Sequence, residues 1–265
     1  MNLQANHRLR RGIYLLPTAL TVGNLLCGYY SVLSSAAGGL GGFERAAKLI
    51  GVAIVLDGLD GRVARMSKVS SPFGKEFDSL ADIVSFGIAP AFLALVWGLR
   101  GLDPTAADNP ALVHHIYQAG WVATFAFLIC GAVRLARFNI QGSESGDLSP
   151  AAHRYFVGLP IPAAAGVIAA AVHAAGEPIT DWYWGLAWLA LLFGLGFLMV
   201  STIRYPSFKE GDFGRRHPFV LTIYIALVAA LIYEYSQIVL LGMALAYLSW
   251  GLVELARRRL FGLAG

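Results

Sequence analysis

The chain has 265 residues, 57% hydrophobic and only 14% charged, with a mean hydropathy of +0.62 and a formal net charge of +4. Soluble domains carry about 25% charged residues, so this balance excludes an ordinary water-soluble globule. The basic residues stand singly or in small groups between apolar runs, which excludes a nucleic-acid surface, and the two isolated cysteines, Cys27 and Cys130, give no zinc or redox spacing.

Taken in order, the chain opens on a polar, basic segment, Met1 to Gly12, followed by an apolar run read as a retained first helix rather than a signal peptide. Eight candidate spans follow, at 15–36, 46–66, 76–98, 113–137, 155–175, 183–203, 218–234 and 236–255. About 20 residues of helix cross a ~30 Å hydrocarbon core. The expected fold is therefore an all-α polytopic membrane protein with about eight transmembrane helices. The connections are short: Gly38 to Gly42, Gly101 to Pro110, Gln141 to Arg154 and Arg204 to Pro218. With eight spans both termini share a side, and that side receives every lysine and arginine except Arg45, Lys48 and Arg100. By the positive-inside rule the termini face the cytoplasm. The six histidines (His7, His114, His115, His153, His173 and His217) read as surface or loop residues. Trp97, Trp121, Trp182, Trp184 and Trp250 near span ends fit interfacial belts.

The chemistry is concentrated between Asp57 and Asp82. Asp57, Asp60, Gly61, Ala64 and Arg65 recur at offsets that share one helical face. Gly74, Asp78 and Asp82, spaced by four, share another. A tight hairpin can turn the two faces toward each other. An isolated aspartate at mid-membrane costs roughly 2.5–3.5 kcal/mol on insertion scales, and four together repel. A divalent cation removes both difficulties. Oxygen donors without His or Cys favour Mg²⁺, Mn²⁺ or Ca²⁺, and the carboxylates suffice for two ions. Small residues let a phosphate approach, and Arg65 adds a cation beside it. A divalent-metal transporter would use the same acids, but Ile50 to Leu56 and Ile83 to Trp97 are almost wholly apolar. A site open to one side suits an enzyme better than a pathway.

The pattern D-x-x-D-G-x-x-A-R, eight residues, G-x-x-x-D-x-x-x-D resembles the signature of the CDP-alcohol phosphotransferase family, and every fixed position matches. Further stretches resemble its serine-using branch: Pro17 to Asn24, Asp78 to Ala91, Arg134 to Asn139, Phe156 to Ala165 and Met199 to Lys209. The resemblance covers spans one to six; the last two carry no readable motif. It implies a core at 15–215, between a basic segment at 1–14 and two added helices with a basic tail at 216–265. It also implies transfer of a phosphatidyl group from CDP-diacylglycerol to L-serine, with release of CMP, in the bacterial cytoplasmic membrane. On that basis Asp57, Asp60, Asp78 and Asp82 hold two Mg²⁺ or Mn²⁺ ions, with Asp82 as general base and Asp78 also catalytic. Gly61, Ala64, Arg65, Ser71, Gly74, Thr21 and Asn24 contact the CDP-lipid; Ser85, Arg134, Arg137 and Asn139 are the serine-side candidates. A homodimer is implied as well. The alternative within the family is another alcohol, choline or a polyol phosphate.

Overall fold

The computed structural model describes residues 3–67, 72–102, 110–144, 155–206 and 218–260. Helices α1 (Leu3–Ala37) and α2 (Gly39–Ser67) pack along each other. Helix α3 (Pro72–Asp82) runs through a π-helical turn (Ile83–Ile88) into α4 (Ala89–Gly98), so 72–98 is one continuous rod. Helices α5 (Pro110–Glu144), α6 (Ile161–Ala175), α7 (Trp182–Val200) and α8 (Pro218–Leu260) complete the bundle. Ile50, Leu93, Phe127, Ile168, Leu192 and Leu195, from five of these helices, meet in the core. On α5 the stripe Trp121, Phe125, Ile129 and Val133 is instead exposed, as suits a surface that faces lipid.

Among the described residues, four helices have the length and hydropathy to cross a membrane: 72–98, 110–140, 182–200 and 226–251. The chain is thus an all-α polytopic membrane protein, but the expected eight crossings are not matched one for one. Helices α1 and α2 are long, yet Thr21, Asn24, Ser31 and Ser34 lower the hydropathy of the first, while Glu44, Lys48, Asp57 and Asp60 charge the second. Several of their polar residues face inward: Thr21, Asn24, Ser31, Ser34 and Asp60 are buried, whereas Lys48 is exposed. The two last expected spans form α8, interrupted at Tyr235 by one non-helical residue (φ −126°, ψ 40°).

The fifth span does not start at 155. Residues 155–157 form a strand, β1, paired antiparallel with β2 (Arg204–Pro206) in the register Phe156↔Tyr205. Pro160 and Pro162 favour the later helix start, since proline is accommodated best in the first turn. Gly158 joins strand to helix at φ +81°, a left-handed conformation open to glycine, with its N–H donating to the Ile203 carbonyl at 2.8 Å.

Two further expectations change. Trp97 is 3% exposed and meets Trp188 edge to face at 5.0 Å, so it belongs to the core, not an interfacial belt. His173 is also buried, between Glu44 (2.9 Å) and Ser236 (2.8 Å). A polar ring can be buried when both nitrogens find partners, and those partners lie on α2 and α8, far from His173 in sequence.

Candidate active site

The π-turn has a local cause. Pro90 has no N–H and its ring would crowd the carbonyl four residues back, so a regular α-turn there loses a hydrogen bond and is strained. The wider turn solves this, and Ala89 N–H reaches back five residues to the Val84 carbonyl. Directly before it, Asp78 and Asp82 lie one turn apart on α3. Opposite, Asp57 lies on α2. One carboxylate oxygen from each of Asp57, Asp78 and Asp82 falls within 4.8 Å of the others.

Helix α1 supports this group from the side. Asn24, fully buried, donates through Nδ2 to Asp82 Oδ1 at 3.3 Å. Thr21 donates through its hydroxyl to Asp60 Oδ2. Asp60 is thereby held by α1 and is not among the three acids that converge. Ser85 spends its hydroxyl on the Asn24 backbone carbonyl at 2.9 Å. It docks the π-turn on α1, and that bond accounts for its one proton.

Of the two arginines one turn apart on α5, Arg134 is 8% exposed and Arg137 is on the surface. Arg134 lies within electrostatic reach of Asp82 and of Tyr247 on α8. Asn139 donates to the Ser79 hydroxyl at 2.8 Å, tying the end of α5 to α3. Gly61, Ala64 and Gly74 are half-buried on the facing helices. Arg65 is in α2; its side chain and Ser71 lie outside what the structure describes. Tyr247 was not singled out by sequence reasoning. One tyrosine in an apolar helix carries no pattern, and only a polar tip in a lipid-facing stretch hints at it.

The residues fit a bound cation. The donor set is all oxygen, hard and anionic. Among the described residues, Asp78 Oδ1 is buried without a hydrogen-bond partner. None of Asp60, Asp78 and Asp82 forms an ion pair among the described residues. Three converging carboxylates carry more negative charge than Arg134, within electrostatic reach of Asp82, balances, so a bound cation suits them.

The model of the CDP-alcohol phosphatidyltransferase family matches residues 14–196. Curated relatives named CDP-diacylglycerol–serine O-phosphatidyltransferase are similar over most of the chain. The Helicobacter pylori protein is 34% identical over 217 residues, 82% of this chain and 82% of its own. The Methanocaldococcus jannaschii protein is 35% identical over 185 residues, 70% of this chain and 75% of its own. The Saccharomyces cerevisiae protein is 32% identical over 216 residues, 78% of this chain and 64% of its own.

Proposed function

The chain belongs to the CDP-alcohol phosphatidyltransferase family, and from that premise we propose that it transfers the phosphatidyl group of CDP-diacylglycerol to the hydroxyl of L-serine. The serine oxygen bonds to the phosphatidyl phosphorus, the phosphorus–oxygen bond to CMP breaks, and the serine proton passes to a carboxylate. The observation that carries this reading is the meeting of Asp57, Asp78 and Asp82 across two helices, beside the apolar core of the bundle.

Asp82 is the base in this reading. A carboxylate is a weak base toward an alcohol, so it accepts the proton late, as the oxygen commits to phosphorus. Asn24 fixes its orientation through one oxygen. Asp57, Asp78 and Asp82 would hold divalent metal, with Asp60 in support; bound Mg²⁺ or Mn²⁺ supplies positive charge to offset that on the diphosphate and departing CMP. Gly61, Ala64 and Gly74 leave room for the phosphates, and Arg65 and Ser71 are assigned to the nucleotide by the motif. The serine carboxylate requires a cation, and buried Arg134 suits it better than exposed Arg137. Ser85 and Asn139 are assigned to shaping the serine side by docking the π-turn and α5. The lysine and arginine asymmetry supports a site facing the cytoplasm of a bacterial inner membrane, where soluble serine is available. A homodimer is part of the same family-based reading.

The decisive experiment measures CMP release from CDP-diacylglycerol by purified protein in detergent with Mn²⁺ or Mg²⁺. Release is expected only when serine is added, and EDTA should reduce it to background until metal is restored. Turnover with choline or glycerol phosphate and none with serine would replace the acceptor.

A further inference from the structure

Most of α8 lies bare. None of residues 226–250 is buried, and Ile238 and Val253 are 74% and 64% exposed. A helix so placed keeps its position through a few anchors. One is Ser236, hydrogen-bonded to His173 at 2.8 Å. The other is Gly251, where the helix backbone comes so close to Tyr205 that any Cβ would overlap its ring and lie 2.6 Å from its hydroxyl oxygen. Between the anchors Ala244, Tyr247 and Leu248 pack on the core. Tyr247 is therefore held, not left facing lipid.

What Tyr247 meets there is polar. Its ring lies 5.6 Å from that of Tyr205, tilted by 33°. Tyr205 is fully buried, and among the described residues its hydroxyl has no hydrogen-bond partner. Tyr247 is also within electrostatic reach of the 8%-exposed Arg134, whose further charged neighbour is Asp82. A buried hydroxyl left unmatched is unusual in a folded protein and calls for a partner. Guanidinium and phenol groups together offer only donors to an anion, and a carboxylate offers only acceptors. The group they match is planar, anionic and small.

We propose that Tyr247, backed by Tyr205, is a positioning residue that sets acceptor specificity: α8 closes the pocket in which Arg134 receives the α-carboxylate of the acceptor. This rests on the serine-transfer reading and gives the helix beyond the family-matched region a role in it.

The test compares serine with ethanolamine, which is serine without its carboxylate, in the CMP-release assay. Tyr247→Phe keeps the ring and removes only the hydroxyl. It is expected to raise KM for serine roughly tenfold, the scale of a hydrogen bond in a charged network. The KM for CDP-diacylglycerol and the rate with ethanolamine should stay within about twofold. Tyr205→Phe should shift serine KM in the same direction. Ser236→Ala loosens α8 at its other anchor and should lower thermal stability without raising serine KM. An unchanged serine KM in Tyr247→Phe, or equal shifts for both substrates, overturns the inference while leaving serine transfer intact. A matching serine KM rise in Ser236→Ala overturns it too, by tracing the effect to docking. Wild-type protein that does not use serine overturns the underlying reading and this inference with it.

Discussion

Helix α2 carries two acidic clusters built on opposite terms. Near its start Glu44 lies between Lys48 at 2.8 Å and His173 at 2.9 Å, and His173 continues to Ser236. Thirteen residues on, about 20 Å along the helix, Asp57 faces Asp78 and Asp82. In the first cluster each polar group answers another, and three helices are tied together. In the second, like charges converge and Asp78 Oδ1 has no hydrogen-bond partner among the described residues. The first stabilises the fold. The second costs stability in the protein alone and is useful only with something bound, which is how functional sites depart from local consistency.

The largest effect that can test this contrast is at the base. Asp82→Asn is expected to lower kcat for serine-dependent CMP release by about 10³-fold. It should not lower the melting temperature of EDTA-treated protein, because it removes one of three like charges. A variant that keeps its activity would refute the base assignment. His173→Ala should do the reverse. It strands Ser236 and removes one of the two partners of Glu44, and is expected to cost about 2–3 kcal/mol, read from thermal unfolding in detergent, with kcat per folded molecule preserved.

Smaller effects separate the edges of the two clusters. Thr21→Val removes the donor to Asp60 but keeps the shape, and should reduce kcat/KM roughly tenfold with little change in melting temperature. An equal loss of stability would make that bond structural. The weakest effect concerns Glu44. Burial acts to raise its carboxyl pKa, but hydrogen bonds and charge from Lys48 and His173 outweigh it, so the pKa sits below its ordinary 4.5. A depressed folded-state value stabilises the protein above the ordinary pKa, and that contribution is lost as pH falls through the folded one. Because Glu44 and Lys48 are partly exposed, Lys48→Ala should cost less than about 1 kcal/mol at pH 7. The difference from wild type should shrink in melting curves taken below pH 4.

Much of the candidate site was legible because it is local. The spacings of Asp57 to Arg65 and Gly74 to Asp82 are helical, and helical periodicity places side chains on a face with no help from the rest of the fold. Helix α1 was legible in part, since Thr21 and Asn24 stand one turn apart, but their division of labour was not. Only the packing sends Thr21 to Asp60 and Asn24 to Asp82. His173 was misjudged for the same reason, because both of its partners are distant in sequence.

The sequence by itself determined a helical membrane chain, the acids that face one another across a short hairpin, and a likeness to a family. Hydropathy and periodicity are summed along the backbone, so they survive without tertiary information. Tertiary structure alone decided that three of four aspartates converge, that Arg134 rather than Arg137 turns inward, and that β1 replaces the expected start of the fifth span by pairing with β2. It also decided that Tyr205 and Tyr247 meet beside Arg134. These depend on which helices become neighbours, and that is settled by burial and close approach across the bundle, at points such as Gly251, where no regular spacing marks the contact.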